Sequence, residues 1–262
     1  MMRSLFTAAT GMKAQQRQID TISNNLANVN TNGFKKSRNH FQDLLYHNER
    51  LAGVASSSST QVPAGIHVGH GTKHVITEKI HTQGNMKSTG NQLDVSIDGP
   101  GFFQILQPNG AIAFSRAGHF NIDGQGRLVT DEGMFLDPEI NIPQETRKVE
   151  IGFDGTVSVF LRDETEPEAV GTIQLARFAN TAGLTPIGKN LYTSSPASGN
   201  PIVETPGLNG MGTLNQGFLE GSNVSVVEEM VNMITAQRAY EVNSKAIQTS
   251  DQMLQSANNL TQ

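Results

Sequence analysis

Six of the seven histidines lie between positions 40 and 81, among them His67, His70, His74 and His81. A metal centre needs such rings to converge and to be held from behind by hydrogen-bond acceptors. Here they alternate with Gly and Val in a loop-to-strand stretch, so successive rings point apart. The reading is surface histidine, without a metal. Asn121 to Glu132 imitates a calcium loop, with Gly126 and Glu132 in the expected places. Asn121 and Gln125 replace carboxylates, however, and the flanks read as strands, so a hairpin turn at Asp123-Gly124 is the better expectation. Asp94 and Asp98 could form an acid–base pair, but four positions along a strand separate them by about 13 Å. That exceeds both carboxylate separations used in glycoside hydrolysis. Gly124-x-Gly126 lacks the third glycine of a dinucleotide fingerprint, and no G-x-S-x-G, H-E-x-x-H or P-loop occurs.

The absence of cysteine excludes disulfides, thiolate nucleophiles and Cys-ligated metals. With 19 basic against 24 acidic side chains, the net charge of −5 argues against a nucleic-acid binder working through a basic surface. The short cluster Lys35-Lys36-Ser37-Arg38 reads as a solvated connector. No catalytic residue, metal, cofactor or small-molecule substrate is expected.

The elements that would position any function are unevenly distributed. All ten prolines and 23 of the 26 glycines lie between residues 61 and 222 of the 262. Before that block, Leu5, Met12, Ile19 and Leu26 recur every seven residues, with companions at Ala8, Gln15, Ile22 and Val29. This predicts a helix from about Ser4 to Val29, roughly 39 Å long. After it, Val226, Met233, Tyr240, Ile247 and Leu254 repeat in the same way, flanked by Met230 and mostly small residues. Ser225 and Glu228 form a capping-box pattern that starts a helix running to about Asn259. The middle predicts β-structure. Leu93, Val95 and Ile97 alternate as in a half-buried strand, and Asn109-Gly110, Asp123-Gly124 and Asp154-Gly155 read as type I′ hairpin turns. Ser56–Thr60 has the composition of a flexible linker.

The expected fold class is therefore α+β. Paired N- and C-terminal helices would make a discontinuous coiled-coil domain, and the centre an antiparallel β-rich domain. The boundaries read as 1–32 helix, 33–71 connecting segment, 72–205 β-rich domain, 206–222 return segment and 223–262 helix. No apolar run is long enough for a signal peptide or a membrane span. The chain then either stays in the cytoplasm or leaves by a route that reads no cleaved signal.

Three blocks carry a resemblance: SNNLANVNTNGFKK (23–36), LDVSIDGPGFFQI (93–105) and EGSNVSVVEEMVNMITAQRAYEVNSKAIQTSDQML (220–254). They resemble the signature blocks of the bacterial flagellar rod and hook family. The length, the SLFTAATGM opening and TPGLNGMG are most similar to distal rod members. Pro100 and Ser225 depart from the usual family residues, though Ser still caps a helix and Pro100 stiffens a turn.

The resemblance implies a structural subunit that assembles with copies of itself into a helical filament, a tubular shaft carrying motor torque to the hook. It implies other rod subunits, the hook protein, the basal-body ring proteins and the flagellar export apparatus as partners, and no nucleic acid. It also implies export across the inner membrane without a cleaved signal, and a place in the basal body spanning periplasm to outer membrane. The expected assembly residues are Leu5, Met12, Ile19, Leu26, Val29, Val226, Met230, Met233, Tyr240, Ile247 and Leu254. The alternatives are a proximal rod or hook subunit or, in another class, a secreted β-rich metal- or glycan-binding protein with an oligomerising helical stalk.

Overall fold

The computed structural model describes residues 2–53, 63–162 and 166–259, so the linker expected at Ser56–Thr60 lies outside the described residues. The chain divides into two compact units. The first contains Met1–Ala27, Ser37–Glu78 and Ser225–Gln262; the second contains Asn28–Lys36 and Lys79–Val224.

The first unit holds both terminal helices, α1 (Met2–Ala27) and α2 (Val226–Asn259). Helix α2 has the span that its heptads predict, whereas α1 ends two residues early. There Asn28 and Thr31 close a turn, with the Thr31 N–H donating to the Asn28 carbonyl. Glu228 and Glu229 in the first turn of α2 complement the positive end of its dipole. Two short strand pairs complete the unit. Strand Ser37–Asp43 pairs with Thr72–Lys79, and Tyr46–Arg50 pairs antiparallel with Ile66–Gly69. Amide side chains fasten the first pair to α1. Asn25 exchanges two hydrogen bonds with the Ser37 backbone at 2.8 and 3.0 Å, and Asn39 donates to the Arg17 carbonyl and the Thr21 hydroxyl.

The second unit is β-rich, and among the described residues all its strand pairs are antiparallel. Strand Phe102–Leu106 lies at the centre of its largest sheet, pairing with Ile112–Ser115, Phe135–Leu136 and Leu175–Arg177. Period-two alternation sends Phe103 and Ile105 into the main core with Val95, Ile97, Leu128 and Val157. Phe102 goes to the opposite face, in a second cluster with Phe114, Phe178 and Tyr192.

The expected hairpins occur, but their turns are not of type I′. At 107–111, 123–127 and 152–156 the loop closes over three residues, with one left-handed residue in each: Gly110, Gly126 and Gly155. Each is a type I turn followed by a bulge, which needs a single positive φ rather than two. The same loop recurs at 130–134 around Gly133. Strand Val95–Asp98 is also corrected: Val95, Ser96 and Ile97 are all buried, so neither face meets water. It pairs with Thr213–Gln216, more than a hundred residues away.

Candidate assembly surface

Helices α1 and α2 run antiparallel along each other within the first unit. Ser4 Oγ lies 3.4 Å from Ser250 Oγ, and a Cβ on Gly11 would come within 3.0 Å of the Asn243 amide. The line that α2 buries consists of Glu229, Ala236 and Ser250 with half-buried Asn243, while α1 buries Ala8, Ala14, Ile22 and Asn25. Apart from Ile22, these buried side chains are small or polar. Much of the apolar content of α2 points away: Val227 is 73% exposed, Val231 57% and Ile234 58%, with Met230 and Val242 also exposed. Residues 227, 231 and 234 recur at spacings of four and three, so they form one stripe along the helix. Heptad reading missed it, because it chose the seven-residue line beginning at Val226.

Of the residues expected to assemble, Leu5, Met12, Ile19, Leu26, Met233, Ile247 and Leu254 are half-buried, and Val226, Met230 and Tyr240 are exposed. Val29 is half-buried and belongs to the β-rich unit.

The largest departure from the sequence reading is at Lys35. Its cluster is not wholly solvated: Lys35 and Glu220 are fully buried and ion-paired. The ammonium also donates to the Thr82 carbonyl at 2.7 Å. Glu220 accepts from the Gly84 N–H at 2.8 Å and from Arg116 Nη1 at 3.2 Å, and Arg116 Nη2 donates to the Gly99 carbonyl at 2.7 Å. Burial holds the Lys35 pKa below its ordinary value despite the pull of Glu220. Only Arg38 of the cluster behaves as read, exposed and paired with Glu78. Gly33, just before the cluster, has φ +70, and a Cβ there would sit 2.5 Å from the Ala117 nitrogen. No other residue fits.

The remaining chemical candidates serve the fold. The carboxylate of Asp123 accepts from the Gln125 and Arg127 backbone N–H groups and pairs with the Arg127 side chain, so the loop imitating a calcium site is a capped hairpin. Those backbone hydrogen bonds, led by the one from Arg127, hold its pKa below the usual carboxylate range. Asp94 is occupied by Thr89, Asn91 and His119. Among the described residues no group of three His, Asp or Glu side chains could hold a metal ion.

Residues 5–35 match a family model for flagella basal body rod protein, 96–159 one for the flagellar hook protein FlgE/F/G D1 domain, and 215–260 one for the flagellar basal body rod FlgEFG protein C-terminal region. Flagellar basal-body rod protein FlgG of Buchnera aphidicola (Schizaphis graminum) is 53% identical over 99% of this chain and 100% of its own length. FlgG of Borreliella burgdorferi is 52% identical over 99% of both chains, and FlgG of Bacillus subtilis 41% over 99% of both. The chain belongs to the flagellar basal-body rod protein family.

As a member of the rod family it is a structural subunit of the flagellar distal rod and not an enzyme. Its place is the flagellar basal body. Among the described residues no helix is long and apolar enough to cross a membrane. The three rod-family segments take in α1 with Lys35, part of the β-rich unit with Arg116, and Glu220 with α2. Each thus supplies one member of the buried ionic cluster.

Proposed function

We propose that the chain assembles with copies of itself into a helical tube, the shaft that passes motor torque outward to the hook. The observation that carries this reading is the exposed stripe Val227, Val231 and Ile234 on a helix whose buried line is small and polar. A contiguous apolar face rimmed by polar residues marks a protein contact. A subunit joined through two different patches builds an open-ended filament instead of a closed ring.

In this reading α1 and α2 pair as a coiled coil and form the inner layer of the tube. The half-buried residues Leu5, Met12, Ile19, Leu26, Met233, Ile247 and Leu254 shape its sides, with Val226, Met230 and Tyr240 meeting neighbours. Val29 acts where the first helix gives way to the β-rich unit. Residues 1–32 and 223–262 make the inner domain, 72–205 the outer β-rich layer, and 33–71 and 206–222 the segments between them. A shaft must resist twist, and contacts at two radii serve that better than one. The subunit leaves the cell interior through the flagellar export apparatus without a cleaved signal. It then meets other rod subunits, the hook protein and the ring proteins between periplasm and outer membrane.

Electron microscopy of concentrated full-length protein tests the reading. Tubes are expected, and deletion of residues 223–262 should abolish them while the β-rich unit stays folded. Discrete particles at every concentration, or tubes from the truncated chain, would overturn it.

A further inference from the structure

The β-rich unit has a cavity of about 510 Å³ that the hydrophobic cores do not fill. Its walls include Pro100, Phe102 and Phe178, and the basic side chains that line it are His81, Arg116 and Arg177. Their hydrogen bonding is incomplete. Neither ring nitrogen of His81 has a partner, nor does Arg116 Nε, although all three atoms are shielded from solvent. Atoms this shielded lie behind the cavity wall and lend it charge, so an occupant would meet the Arg177 guanidinium. Among the described residues the half-buried Arg177 guanidinium also has neither an ion-pair nor a hydrogen-bond partner.

The charge around the cavity is positive. Lys35, Lys79 and Arg116 all act on His81, and Arg177 adds a fourth cation. Against them stand Glu220, already held by Lys35, Arg116 and Gly84, and Asp98, which accepts from the wall residue Gln83. A carboxylate entering here finds an unsatisfied guanidinium, the residue type best suited to bind it in a forked geometry. Aromatic and proline walls fit the peptide stem behind it.

We infer that this cavity receives an acidic peptide segment from a second copy of the chain, its carboxylate pairing with Arg177. The chain carries a matching segment, with Asp163, Glu164, Glu166 and Glu168 within six residues. Of these, Glu166 and Glu168 are described and exposed. A cavity on one copy and an acidic segment on the next are different patches, as an open filament requires. The inference rests on the assembly reading and adds to it a contact between β-rich units.

A labelled peptide with the sequence of residues 162–170, added to dilute full-length protein, reads the cavity without requiring filaments. Saturable binding is expected, weakened at least tenfold by Arg177→Glu and by replacing the peptide's four acids with amides. In the filament assay, Arg177→Glu and the pair Glu166→Lys with Glu168→Lys should each raise the concentration needed for tubes, and combining them should restore it. No peptide binding, or binding indifferent to Arg177→Glu, would overturn the inference; so would charge reversals that leave assembly unchanged. Wild-type protein that binds the peptide yet forms no tubes would count against the assembly reading while the cavity's ligand class stood.

Discussion

The ammonium of Lys35 and the carboxylate of Glu220 are ion-paired across 185 positions of sequence, both side chains fully shielded from solvent. The pair fastens the segment that follows Gly33 to the strand that ends at Glu220, and the Gly33 N–H donates to the Glu220 carbonyl at 2.8 Å. Lys35→Met removes two buried charge-assisted hydrogen bonds, to Glu220 and to the Thr82 carbonyl, and leaves Glu220 with Arg116 as its remaining cation. Lys35→Met should therefore destabilise the β-rich unit by about 3 kcal/mol in urea titrations followed by circular dichroism. Adding Glu220→Gln should cost less than the sum of the two single changes, since each single change already breaks the same Lys35–Glu220 pair. A Lys35→Met variant as stable as the parent would refute this account of the cluster.

Acid sensitivity should reside partly in His81. Burial first, and the nearby Lys35, Arg116 and Lys79 charges second, lower its pKa from 6.5 to about 4. The unfolded chain therefore takes up a proton below pH 6.5 that the folded chain refuses until about pH 4. Stability is full above pH 6.5 and falls as the pH drops through that window, by about 3 kcal/mol in all. Denaturation midpoints at pH 7.5 and 4.5 should differ less in His81→Leu than in the parent. Equal differences would show that His81 does not set the slope.

The helix pairing can be trapped covalently, because the chain contains no cysteine to confuse the result. Ser4 and Ser250 have hydroxyl oxygens 3.4 Å apart. Ser4→Cys with Ser250→Cys should form a disulfide within one chain on mild oxidation of dilute protein, seen as a faster band at monomer mass on a non-reducing gel. Reduced thiols, or dimers alone, would contradict the antiparallel register.

Much of this architecture was legible in the residues. The heptads of Val226, Met233 and Ile247 gave the bounds of α2, because a long helix repeats its signal many times. Gly110 and Gly155 marked their hairpins through the positive φ that glycine accepts most readily. Lys35 was not legible: in a run of basic residues nothing local distinguishes the one lysine whose partner lies near the other end of the chain. The same holds for Val95–Asp98, whose second face, at Ser96, meets Met86 and the carbonyl of distant Asn215. The outward stripe of α2 escaped notice because a seven-residue repeat singles out one apolar line, and α2 carries two.

The central claim is that this second line joins copies of the chain, and Ile234→Asp tests it most directly. Ile234 is already 58% exposed, so the change should leave the circular dichroism and thermal transition of the monomer nearly unaltered. Sedimentation across a concentration series should then show the parent passing into filaments while the variant stays monomeric. A variant that forms filaments at the parent's threshold concentration would contradict the claim.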